Sequence, residues 1–351
     1  MKRGMLEVQF NWIFILIAGA VILAFFFSII QKQQSISEQK LALEVVNQID
    51  AITTGAAVAR GAAQRVDLPR SGIDFTCTDD CSCAFSVGPV TRDYQDKIIF
   101  SPQHIEGKEI VFWTQEWRVP FRVTNFLYIT NDRIKYFFVY DENIPQSEQL
   151  KRQLEQELPA QINAEFITPS EICTGDTGCV KNENFLQVKF VFLETLPDIL
   201  SGSLGLLHDS FRTTDVTGLY VSSGQLTFFK CRKNRVGNCD STPSLYVGDA
   251  PLYGAIFAYD ETAYRCNLRE ATKRLSYVSH VLELRNNILF QDSELALRGC
   301  DYSIDTLGRL HATADSQVTA FTNALPTMAV DAAALEQENE ALLLRSCPTI
   351  Y

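Results

Sequence analysis

The sequence predicts an α+β protein built as an N-terminal transmembrane helix and stalk, antiparallel strands, an α/β middle domain and a C-terminal antiparallel helical bundle. Three observations carry that expectation. Residues 10–30 contain no charge, and only Asn11 and Ser28 are polar. Short β-branched and aromatic runs broken by Pro102, Gly107 and Pro120 fill residues 73–130. After Asp260 the apolar positions repeat at intervals of four and three, the spacing of one helix face.

The first element has the length of about 20 residues that a helix needs to cross the hydrocarbon core. A cleaved secretory signal has a shorter apolar region and a small-residue cleavage site, whereas Phe25, Phe26 and Phe27 run here into Ile29, Ile30 and a Gln-rich stretch. The segment therefore reads as an anchor. Lys2 and Arg3 against Glu7 place residues 1–9 in the cytoplasm by the positive-inside bias, leaving everything after the span outside the cell membrane. Ala20, Ala24 and Ser28 follow at four-residue spacing, which lets a second membrane helix approach closely. Residues 31–65 continue as a helical stalk, with Leu41, Leu43, Val45, Val46, Ile49 and Ile52 at helical intervals.

Residues 66–259 are expected to form one mixed α/β unit. Residues 97–100, 109–114 and 121–129 read as strands. Residues 134–140, 146–158 and 162–168 then read as strand, helix and strand, a βαβ crossover. The pattern recurs as a strand at 185–193, a helix at 196–208, and strands near 219–221 and 225–231. In residues 260–351, Asp260 caps a helix with Tyr264, Leu268, Ala271, Leu275, Val278 and Leu282 on one face. A second helix from about Ser293 carries Cys300, Ile304, Leu307, His311, Ala314, Val318, Phe321 and Leu325. The rhythm stops near Pro326 and resumes through Ala332, Leu335, Asn339 and Leu342.

Composition narrows the function. The 351 residues carry a net charge of −11, and residues 1–40 hold four basic and two acidic side chains, so the remainder has 27 basic against 40 acidic. A net of −13 outside the anchor lacks the basic footprint that phosphate contacts require, which excludes nucleic acid as a partner. Ten cysteines against four histidines favour thiol pairing over a histidine-rich metal site. No P-loop, dinucleotide fingerprint, zinc-protease motif or GxSxG elbow occurs, and residues 201–205 miss the GxSxG spacing. His208, Asp209 and Ser210 are adjacent and cannot form a triad. His311 on the bundle seam reads as a packed, hydrogen-bonded histidine. Asn339 there reads as a register residue or a solvated edge. Trp113, Trp117, Phe121, Phe126 and Tyr128 read as sheet interior. No catalytic, cofactor or metal site is assigned, and no Asn-linked glycan acceptor occurs.

The cysteines form a framework. Cys173 and Cys179 bracket a Gly- and Thr-rich turn, and Cys231 and Cys239 bracket a polar one, so each pair reads as a local bridge. Cys77, Cys81 and Cys83 supply three thiols with no fourth ligand, which argues for disulfides over zinc. In a helical hairpin turning near Gln291, Cys266 and Cys300 differ in level by roughly 24 Å, too far for a bridge. A second reversal at Pro326 returns Cys347 to within about two turns of Cys300. Cys300 is therefore paired with Cys347, and Cys266 with one member of the Cys77, Cys81, Cys83 cluster, whose other two pair together.

Lys2, Arg3 and Gly4 before Met5 and a long apolar helix resemble the class III signal of archaeal type IV pilin-like proteins. That resemblance implies processing between Gly4 and Met5 with the helix left in the membrane. The family carries Glu at the fifth residue after the cut, where this chain has Gln9, with Glu7 two places earlier. Residues 98–130 and 345–351 are similar to archaeal membrane-anchored surface proteins without an assigned function. The expected function is a single-pass, disulfide-stabilised extracellular surface or appendage protein that works by self-association or contact with a protein partner. The alternative is a membrane-tethered enzyme or small-ligand receptor, with a cleft at the carboxyl ends of the α/β strands.

Overall fold

The computed structural model describes residues 4–56, 61, 63–68, 72–94, 97–172, 185–195, 215–231, 239–320 and 325–351. Helix α1 (Gly4–Ala56) is 53 residues long, about 80 Å at the α-helical rise. Its two ends meet different surroundings. The stretch Ile15–Gln33 is long and apolar enough to cross a membrane and is not buried anywhere in the fold. Toward its C-terminus, Ala42, Val45, Val46 and Ile49 are buried in the main core. Lys97 completes the junction with an ion pair to Asp50 and a 2.8 Å hydrogen bond to the Thr53 hydroxyl. The expected stalk is therefore half anchor extension and half core helix. It ends at Ala56, and Ala63 already begins a strand.

Three sheets follow. Strands β1 (Ala63–Asp67), β5 (Ile99–Phe100), β7 (Glu109–Arg118) and β8 (Arg122–Thr130) form one, in the order β1-β7-β8-β5. The second is the small sheet β4-β3-β2-β6, from β2 (Ile73–Cys77), β3 (Cys83–Val87), β4 (Val90–Asp93) and β6 (His104–Ile105). The third has six strands: β9 (Ile134–Val139), β10 (Ala164–Ile167), β11 (Gln187–Leu193), β12 (Asp215–Ser222), β13 (Gln225–Cys231) and β14 (Cys239–Leu245), ordered β10-β9-β11-β12-β13-β14. Helix α2 (Pro145–Glu157) connects β9 to β10, and those strands pair in parallel, so the βαβ crossover forms. Strands β9, β11 and β12 are also parallel, and β13 and β14 close the sheet antiparallel. The helix expected at 196–208 lies outside the described residues.

Helix α3 (Asp249–Phe257) joins the sheets by plugging the core. Every residue from Ala250 to Phe257 is buried, and Gly254 permits it: a Cβ there would stand 2.8 Å from Phe100 Cζ. Trp113 packs against Tyr253 and Phe257, with ring centroids 5.0 and 6.0 Å apart. Trp117, Phe121, Phe126 and Tyr128 are buried as well. This aromatic stretch is sheet interior.

The C-terminal part has helices α4 (Glu261–Gln291), α5 (Ser293–Leu297), α6 (Asp305–Ala320) and α7 (Leu325–Leu344). Asp260 caps α4 by accepting from the Ala263 N–H at 2.9 Å. Paired positions run in opposite directions. Asn286 donates to the Ser303 carbonyl and Glu283 meets His311, while Arg309 meets Asp331 and the Ser303 N–H donates to Glu338. Both helix pairs, α4 with α6 and α6 with α7, are thus antiparallel. One expectation is corrected: the second helix is not continuous from Ser293. Gly299 takes a left-handed φ of +80°, α5 ends, and residues 300–304 cross over before α6 begins. Pro326 sits in the first turn of α7, where its missing N–H costs nothing, so it starts a helix.

Candidate functional site

The disulfides position the surfaces. Cys77 and Cys83 stand directly opposite each other in β2 and β3 and are bonded, with Cα atoms 4.2 Å apart. That leaves Cys81 in the intervening turn, where it bonds Cys266 of α4 across 185 residues. Cys300 bonds Cys347, with S–S 2.02 Å and Cα atoms 5.7 Å apart. Cys239 is also disulfide-bonded, and its register partner across β13 and β14 is Cys231. Cys173 and Cys179 lie outside the described residues, as do residues 201–205, His208, Asp209 and Ser210. Gly4 is the first residue of α1. Ala20, Ala24 and Ser28 are exposed on the span.

An enzyme-like feature sits at Lys189, the third residue of β11. Its ammonium is buried beside a cavity of about 250 Å³ whose lining includes Thr217, Lys230, Asp240, Tyr259 and Asp260. Burial lowers the Lys189 pKa to about 7, with Asp260 pulling the other way. The amine has a structural task, however. It donates to the carbonyls of Ala255 at 2.8 Å and Ala258 at 2.6 Å, the unpaired C-terminal end of α3. This cavity lies at the amino ends of the parallel strands, opposite the expected cleft. Lys189 is thus a helix cap placed by β11, with its ammonium nitrogen 5.6 Å from the centroid of the Phe228 ring.

A different surface stands out on α4. Tyr277, Val281, Leu284 and Ile288 are 62, 63, 53 and 71% exposed. Their spacing of four, three and four is the seam of a coiled coil, extending over about 17 Å. Single exposed apolar residues are ordinary, but a contiguous row is the mark of a contact surface. On the neighbouring face of the same helix, His280 and Glu283 meet His311 of α6. His311 Nδ1 is 3.0 Å from Glu283 Oε2, and the two imidazole centroids are 4.9 Å apart. His311 is hydrogen-bonded, as its seam position implied, but to a carboxylate that sequence spacing alone did not place beside it. Asn339 makes a further contact that its seam position did not announce: its Oδ1 accepts from the Ile350 N–H at 2.8 Å and secures the C-terminal segment.

The chain is therefore an α+β protein with one N-terminal helix long and apolar enough to span a membrane, joined to a disulfide-bonded domain. Comparison with family models, with curated proteins and with solved structures finds no match.

Proposed function

We propose that this chain is a single-pass surface or appendage protein, pilin-like in its N-terminal segment, that displays its disulfide-bonded domain outside the cell and works by assembly with copies of itself. The unburied apolar span continuous with a helix rooted in that domain supports the anchoring. Lys2, Arg3, Gly4 and Met5 are the processing signal in this reading.

The apolar row of α4 carries the assembly. A second copy of the chain is the assigned occupant, because a four-three-four row is self-matching and a two-fold contact uses the same patch on both copies. Anchoring in one membrane raises the effective concentration of copies without adding a contact. The small residues Ala20, Ala24 and Ser28 offer a second meeting point within the bilayer. The Lys189 cavity gives the tethered-enzyme reading no comparable support, since its one shifted amine is engaged by helix carbonyls.

Leu284→Glu with Ile288→Glu tests this reading, because both side chains are exposed and neither supports the core. Chemical crosslinking in membranes should yield a dimer from the wild type and much less of it from the double variant. A monomeric wild type, or a variant that crosslinks equally, overturns the assignment.

A further inference from the structure

His280, Glu283 and His311 bring two imidazole nitrogens and one carboxylate oxygen within 4.8 Å of one another. Half of the chain's four histidines are in this cluster. Its construction follows from the helices. His280 and Glu283 are three residues apart, so both project from one side of α4. His311 comes from the antiparallel α6. Gly308, one turn before His311, also faces Glu283: a Cβ there would stand in ordinary contact, 3.5 Å from Glu283 Oε1. His280 Nδ1 and His311 Nδ1 are 3.6 and 3.0 Å from the same Glu283 oxygen.

We propose that this cluster is a binding site for a divalent late transition metal, with Zn²⁺ as its natural class of occupant. Donors at the usual distance of about 2.0–2.2 Å around a tetrahedral ion are roughly 3.3 Å from each other. The present separations therefore need only small side-chain adjustments. Imidazole and carboxylate ligands suit zinc, copper or nickel far better than calcium or magnesium, which prefer all-oxygen shells. Three protein ligands would leave a fourth position for a water or another small ligand. The acidic balance of the domain raises the local concentration of cations. Because the ligands come from two helices, a bound ion staples α4 to α6 beside the exposed apolar row.

A hydrogen-bonded His–Glu–His group without metal is the competing account, and the full-length chain in detergent distinguishes the two. After chelator treatment and dialysis against Zn²⁺ alone, the wild type should bind one ion at this site and melt at a higher temperature than the metal-free chain. Glu283→Gln and His311→Ala should each weaken binding on the order of tenfold or more, since losing a ligand costs at least as much as losing its supporting partner. His280→Ala is the control for folding, because that ring is exposed. With Cu²⁺ as probe, electron paramagnetic resonance should show two imidazole nitrogens in the wild type and one in His280→Ala. Failure of the folded wild type to bind Zn²⁺, or equal binding by the His280→Ala, His311→Ala double variant, overturns the proposal.

Discussion

Replacing Cys81 and Cys266 together by serine should destabilise the folded domain by about 5 kcal/mol, more than the loss of any other described bridge. The ranking follows from the loops that the bridges close. Cys81–Cys266 spans 185 residues, Cys300–Cys347 spans 47 and Cys77–Cys83 spans six. Loop-closure entropy in the unfolded chain grows with the logarithm of that span, giving about 5, 4 and 2 kcal/mol respectively. The long bridge also has the largest structural reach, since it fastens the turn between β2 and β3 to the first half of α4. Denaturant midpoints of the three double-serine variants, measured without reductant, should fall in that order. A Cys77, Cys83 variant less stable than the Cys81, Cys266 variant would contradict the entropic account.

The second large effect is a pH dependence at Lys189. Its folded pKa of about 7 lies below the ordinary lysine value. Between about pH 7 and pH 10 the unfolded chain therefore holds more protons than the folded one, and stability rises with pH. Below that window both states are protonated and the contribution is absent; above it the contribution is fully present, on the order of 5 kcal/mol at most. Buried Tyr128, Tyr136 and Tyr264 have pKa values raised by burial, so they oppose the trend once unfolded tyrosines ionise near pH 10. Maximum stability should accordingly lie near pH 9 to 10. Lys189→Met removes the titrating group, and its denaturant midpoint should be nearly flat from pH 7 to pH 9 while that of the wild type climbs. Parallel slopes for the two proteins would show that Lys189 is not the source.

The sequence made some parts of this molecule readable through periodicity. Residues 134–140 form an apolar run, residues 146–158 are rich in helix formers and residues 162–168 return to a strand pattern, which is enough to place β9, α2 and β10. Asp260 announces the start of α4 because an acceptor before a long amphipathic run has few other uses. Helix α3 leaves no such trace. It is buried on all sides, so it has no polar face to set a period, and it carries Pro251 and Gly254, which read as breakers. Strand β14 is hidden for the opposite reason: Asp240, Ser241, Thr242 and Pro243 are exposed on a sheet edge, where pairing to β13 outweighs low intrinsic propensity. The apolar rhythm runs straight through residues 298–304, and only the left-handed Gly299 marks the break between α5 and α6.

The candidate sites divide in the same way. Helix lengths and reversals are sufficient to bring Cys300 to Cys347, because level along a bundle is simple arithmetic. The partner of Cys266 required strand register: once Cys77 faces Cys83 across β2 and β3, Cys81 is left in the turn. Glu283 beside His311 depends on how α4 slides against α6. The His-x-x-Glu spacing at 280 and 283 was the available signal, yet the third ligand becomes visible only after the helices are aligned. Exposure of the α4 row is likewise a tertiary fact, since Tyr277, Val281, Leu284 and Ile288 have the composition of a core face.

Protease added to intact cells is the measurement on which membrane display depends. The account predicts that the β-rich domain is digested from outside while a fragment containing residues 15–33 stays with the membrane. Protection of the whole domain until the membrane is permeabilised would contradict it.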